Sequence, residues 1–133
     1  MAINLEQGRN RIEWAESRMP LLNRIRKRFL KEVPFAGKRI SISIHLEAKT
    51  ACLAVLLRDG GAQVHVTGSN PLSTQDDIAG ALAEEANIKV FARHGVSSDE
   101  YAEHLAQTLA HRPHLILDDG GDLMSLLLSL IHI

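Results

Sequence analysis

His45 directly follows the alternation Ile40-Ser41-Ile42-Ser43-Ile44, and far along the chain a Leu115-Ile116-Leu117 run ends in Asp118-Asp119-Gly120-Gly121. Histidine is the side chain that most readily exchanges a proton near neutral pH. Carboxylates on a glycine turn can meet a ligand at close range, because glycine lets another molecule approach the backbone. Other polar groups follow other apolar runs: Thr67-Gly68-Ser69-Asn70 after the second, Arg93-His94-Gly95 after the third. Each has a plainer reading. A histidine after a strand is commonly a structural hydrogen-bonding group, Ser73-Thr74-Gln75-Asp76 can serve as a helix cap, and Asp118 or Asp119 can cap the helix that comes next. His111 and His114 lie three apart with no third ligand nearby in sequence, so no metal site is expected. Neither Gly60-Gly61 nor Gly120-Gly121 makes a GxGxxG phosphate fingerprint. Residue types and spacing therefore support a polar pocket and no named reaction.

Elements must bring these groups together. Ile12, Ala15, Met19, Leu22, Ile25 and Phe29 recur at helical spacing, and Pro20 predicts a kink or a second helix starting there. Arg24, Arg26, Lys27, Arg28 and Lys31 crowd the opposite face, which reads as a solvated surface, since no aromatic residues interleave with them. The alternation at 40–44 predicts a strand. An apolar helix over Ala48–Leu57 is then ended by Gly60-Gly61, and Ala62–Val66 is a second strand. Ser73 or Thr74 with an aspartate three residues on predicts a capping-box start to a helix through Ala86. Ile88–Ala92 is a third strand, Ser97 with Glu100 opens a helix through His111, and Leu115–Leu117 is a fourth strand, expected to be the most buried. A helix starts near Gly121. Strands alternating with helices predict an α/β, doubly wound, Rossmann-like parallel sheet of about four strands, preceded by a long kinked helical region. In such a sheet, ligands bind beyond the carboxyl ends of the strands. His45, Asn70, Arg93 and Asp119 all fall at such ends.

Composition sets the class. The 133 residues are 45% hydrophobic and 23% charged, enough for one domain with its own core. The formal net charge of −1 gives no drive toward nucleic acid or anionic lipid. A single cysteine, Cys52, excludes an internal disulfide and fits a reducing compartment. No basic segment leading into an apolar run opens the chain, and no apolar stretch is long enough to span a membrane, so the expected location is the cytoplasm. The stretch Met124–Ile133, MSLLLSLIHI, has no polar face. The expectation is a truncated domain over 1–127 with a non-native tail at 128–133, the latter matching a frame through a sequencing adapter.

The segments RIEWAESRMPLLNRIRKRF, SIHLEAKTACLAVLL, GAQVHVTGSNPLSTQDDIAGALA and LILDDGGDL, in that order, resemble the N-terminal part of the S-adenosylhomocysteine hydrolase family. The Glu-Ala-Lys after the histidine is similar to the thermophile and archaeal-type branch. The resemblance implies reversible cleavage of S-adenosyl-L-homocysteine to adenosine and L-homocysteine. It also implies a tightly held NAD that oxidises the ribose 3′ hydroxyl, and a homotetramer in the full-length protein. His45 would be the proton-transfer residue near the leaving sulfur and Asp119 the carboxylate beside the sugar, while Asn70, Ser73, Thr74 and Gln75 would line the substrate cleft. Animal-type members place a threonine and a glutamate that recognise adenine where this chain has Glu47 and Lys49. Lys49 offers only donors, which suits the 6-oxo group of hypoxanthine, so S-inosyl-L-homocysteine is the alternative substrate. With no dinucleotide fingerprint present, the NAD-binding domain is expected to be absent and the chain inactive alone. A non-catalytic nucleoside-binding module is the other alternative.

Overall fold

The computed structural model of the chain describes residues 3–131; residues 132 and 133 of the expected tail lie outside them. Helix α1 spans Leu5–Ser17, where the Asn4 side chain accepts from the Gln7 amide at 3.0 Å and caps the first turn. Helix α2 spans Pro20–Glu32, with Pro20 in its first turn, so the expected kink is a break into two helices. Strand β1 (Arg39–Ser43), helix α3 (Ala48–Asp59) and strand β2 (Gln63–Thr67) follow. Then come a 3₁₀ turn at Pro71–Ser73, helix α4 (Asp76–Ala83) and strand β3 (Ile88–Val90). Helix α5 (Ser98–Leu109), strand β4 (Leu115–Asp118) and helix α6 (Asp122–Ile131) complete the order. Ser97 caps α5 by accepting from the Glu100 amide, as its spacing predicts.

All four strands are parallel, in the order β3-β2-β1-β4. This is the doubly wound, Rossmann-like α/β sheet that the alternation of elements predicts. One face carries Ile40, Ile42, Val64, Val66 and Ile88, which pack with α3 and α4 into the main core. Burying these branched side chains is the principal stabilising term, at roughly 1.5–3 kcal/mol each. On the other face Ser41 and Ser43 are fully buried, and the Ser41 hydroxyl donates to the Thr108 carbonyl of α5 at 2.7 Å. A small second cluster, Leu105, Leu109 and Leu123, joins α5 to α6. Helix α1 closes on α4 through Gly8, where a Cβ would stand 1.9 Å from the Asp77 carbonyl oxygen.

Two expectations are corrected. Helix α4 starts at Asp76 with no side-chain cap, because Ser73 and Thr74 belong to the preceding 3₁₀ turn, whose cap is Asn70. Strand β4 is an edge strand, not the most buried one. Leu115 and Leu117 are 46% and 37% exposed, since among the described residues no helix covers that face beside β1. Only Ile116 turns inward, against the α5–α6 cluster.

Candidate active site

From β1 the chain steps outward through β2 to β3, then α5 carries it over the other face and β4 pairs on the opposite side of β1. The direction of winding therefore reverses between β1 and β4. Loops leaving two such strands part to opposite faces and open a crevice at their carboxyl ends. His45 leaves β1 there and Asp119 leaves β4 there. Ser43 and Asp118 are register partners, and the Asp119 amide donates to the Ser43 carbonyl at 3.2 Å.

The backbone at His45 is pinned, its carbonyl accepting from the Glu47 amide at 3.0 Å and from the Thr50 hydroxyl at 2.6 Å. Its exposed ring meets the loop that follows β2, with Nδ1 2.6 Å from the Ser73 hydroxyl. That loop lies against the end of β1: the Ser69 amide donates to the Ile44 carbonyl at 3.3 Å and the Gln75 amide to the Leu46 carbonyl at 3.1 Å. Gly68 makes the close packing possible, since a Cβ there would stand 2.6 Å from the Thr74 hydroxyl.

The two aspartates divide. Asp118 turns back on its own loop, accepting from the amides of Gly120 and Gly121 through one oxygen and of Met124 through the other, which caps α6. Asp119 is exposed, and its carboxylate has no hydrogen bond or ion pair among the described residues. The glycine turn beside it is open: a Cβ on Gly120 would meet only the Ser69 side chain, at 3.9 Å.

Most of the side chains expected to line the cleft have partners of their own. Asn70 spends its side chain on the Leu72 amide at 2.9 Å. Thr74 is 3% exposed and packs beneath the loop. Gln75 is gripped by the guanidinium of Arg11, which also holds Asp77 at 2.8 Å. Glu47 caps α3, accepting from the Thr50 amide at 3.1 Å. Glu47 and exposed Lys49 line a cavity of about 590 Å³ shared with Asn10, Arg11 and Trp14, and neither His45 nor Ser73 belongs to its lining. The buried Leu46 side chain lies in the chain between the two locations. His94 is structural: its amide donates to Asp76 at 2.8 Å and its Nδ1 lies 3.0 Å from the Thr74 carbonyl.

Two residues were not anticipated. Arg11 reaches the loop from α1, and no local pattern distinguishes it from the other arginines. Tyr101 of α5 places its hydroxyl 2.9 Å from the Asp122 carboxylate and 3.1 Å from the Ser69 carbonyl, joining α6 to the β2 loop. Burial and the neighbouring Asp122 push its phenol up, so it stays a donor. The basic face of α2 is partly spent, because Arg26 pairs with Asp59 and Glu16. Among the described residues no three His, Cys, Asp or Glu side chains gather as a metal site needs, and no helix is long and apolar enough to cross a membrane.

The profile of the family described as S-adenosyl-L-homocysteine hydrolase matches residues 2–132. The chain belongs to this family. It is 50% identical over 126 residues to a Methanocaldococcus jannaschii protein named S-inosyl-L-homocysteine hydrolase, covering 94% of this chain and 30% of that relative. It is 49% identical over 122 residues to the adenosylhomocysteinase of Aquifex aeolicus, covering 92% and 29% of the two chains. Against the adenosylhomocysteinase of Sulfurisphaera tokodaii, identity is 52% over 118 residues, 89% of this chain and 28% of the relative. The chain thus spans about 30% of the length of the curated relatives it matches.

Proposed function

We propose that this chain is the N-terminal substrate-binding domain of a longer cytoplasmic, homotetrameric enzyme that reversibly cleaves S-adenosyl-L-homocysteine to adenosine and L-homocysteine. His45 transfers the proton at the thioether, and Asp119 orients the reacting sugar or relays a proton to it. Ser73 holds the His45 ring, while Asn70, Thr74 and Gln75 keep the loop in shape. The observation that carries this reading is the His45–Ser73 contact of 2.6 Å at the switch point of the sheet. The Asp119 carboxylate, just past the adjoining strand β4 and unpaired among the described residues, supports it.

NAD, the oxidant of the family's reaction, belongs in this reading to the part of the protein beyond this chain. The turn after β1 does not fit a dinucleotide. It contains no glycine, and the Glu47 carboxylate occupies the helix N-terminus that a pyrophosphate would need. The chain alone is expected to bind nucleoside weakly without turning it over.

Adenosine titrated into the ¹⁵N-labelled chain should shift the resonances of His45, Ser73, Asp119 and Gly120. Shifts confined to other surfaces, or none at millimolar nucleoside, would overturn the assignment. In the intact enzyme, His45→Asn should lower kcat by roughly 100- to 10,000-fold. A second reading has its own support. Glu47 spends one carboxylate oxygen on the helix cap, and a purine reaching past Leu46 into the cavity beside it would meet only donors from Lys49; the Methanocaldococcus relative is named for the inosyl substrate. In that case inosine binds more tightly than adenosine, and Lys49→Glu reverses the order. A strong adenosine preference with Lys49 in place would sink it.

A further inference from the structure

The Ser73 hydroxyl has one proton and two close neighbours, the Asn70 carbonyl oxygen at 2.9 Å and His45 Nδ1 at 2.6 Å. A carbonyl oxygen only accepts. If the hydroxyl proton pointed at the ring, lone pairs of two oxygens would face each other at 2.9 Å. With the proton on the Asn70 side, the hydroxyl offers a lone pair to the ring, and Nδ1 must carry a hydrogen to meet it. The Asn70 carbonyl is fixed for this role: it also accepts from the Ser73 amide at 3.0 Å, and the Asn70 side chain closes the turn by accepting from the Leu72 amide. The two hydrogen bonds to the His45 carbonyl fix the backbone from which the ring reaches Ser73.

We infer that Ser73, backed by the Asn70 carbonyl, is a positioning residue that fixes the proton of neutral His45 on Nδ1 and leaves Nε2 as the free base of the pair. In a histidine whose two nitrogens differ, the hydrogen bond made by one decides the protonation of the other. A neutral histidine without such a partner favours the proton on Nε2, so the loop reverses the intrinsic preference. His45 Nε2 has no partner among the described residues, and the ring is exposed at the crevice. The nitrogen with a lone pair is thus the one able to reach a ligand. This use of Nε2 rests on the proposed hydrolase reading, whereas the location of the proton does not.

The test is a multiple-bond ¹H–¹⁵N correlation on the chain labelled at histidine, at a pH where the rings are neutral. The parent should show a protonated Nδ1 and an unprotonated Nε2 at His45. Ser73→Ala should shift the majority to the Nε2–H form, and Ser73→Thr, which keeps the hydroxyl, should retain the parent pattern. A general loss of packing would not produce this selective exchange, and unchanged signals from His65 and His94 check for it. An Nε2–H majority in the parent, or an unaltered tautomer in Ser73→Ala, overturns the inference. Should Ser73→Ala fail to fold, the parent spectrum decides alone. Adenosine binding elsewhere with the tautomer as stated would sink the functional reading and leave this inference standing; the converse result would do the opposite.

Discussion

Asp118 and Asp119 are chemically identical, and only their surroundings separate them. Asp118 satisfies three backbone amides that the turn and the first turn of α6 would otherwise leave without partners. Asp118→Ala should therefore destabilise the chain by about 1–3 kcal/mol. Asp119→Asn removes a charge that bonds nothing among the described residues and should change the stability of this chain by less than about 0.5 kcal/mol. Urea midpoints of the two variants check the pair; equal losses would mean that both aspartates are structural. At this scale the sequence was legible in part. His45 and the aspartate pair stand out by type and by position after apolar runs. Nothing in the order Asp-Asp-Gly-Gly tells which carboxylate turns back, because that depends on where the amides of Gly120, Gly121 and Met124 point.

Helix α5 meets the sheet through two imidazoles. His65 of β2 stacks on His111, just beyond the end of α5, with ring centroids 3.6 Å apart and planes 9° apart. His65 Nδ1 and both His111 nitrogens are buried and make no well-formed hydrogen bond among the described residues. Burial lowers both rings, and the neighbouring His65 holds His111 down further, to about 4. Lys89 on β3 and Arg39 on β1 oppose a second positive charge, while backbone carbonyls of Gln107, Thr108, Gln63 and Ile40 work the other way. The unfolded chain protonates both rings near the ordinary histidine value of about 6.5. Folded-state values lie below that, so the unfolded state binds more protons and stability falls as pH drops from about 6.5 toward 4. Urea unfolding across that window should show the loss, and His111→Gln should flatten it; an unchanged slope would mean that the rings separate freely. The order of elements was readable because branched residues, caps and glycines punctuate it. The exposure of β4 was not, since Leu-Ile-Leu reads the same whether one face or both are covered. The 3₁₀ turn was hidden because Ser73 and Thr74 match a helix cap equally well until the Asn70 side chain takes that role.

Across the whole molecule, cover is uneven. Helices α3 and α4, with Ile12 of α1 packed against them, enclose one face of β1 to β3, while β4 leaves Leu115 and Leu117 open beside a strand edge that is unpaired among the described residues. Such an edge invites pairing with another chain. Sedimentation should show association rising with concentration, and Leu117→Lys should suppress it without lowering the melting temperature; a monomer at all concentrations would show that the edge is already blunted. The opposite end is tightly closed. Gly8→Ala would drive a methyl group into the Asp77 carbonyl and should cost about 1–3 kcal/mol, read by thermal unfolding. A wild-type melting temperature would mean that α1 is free to shift. That close approach also lets Arg11 reach Gln75 and Asp77, two residues beyond the loop that touches His45. A mutant library meant to retune nucleoside preference should therefore diversify position 11 as well as positions 47, 49 and 73, because the first helix is part of the mould in which the recognition loop is cast.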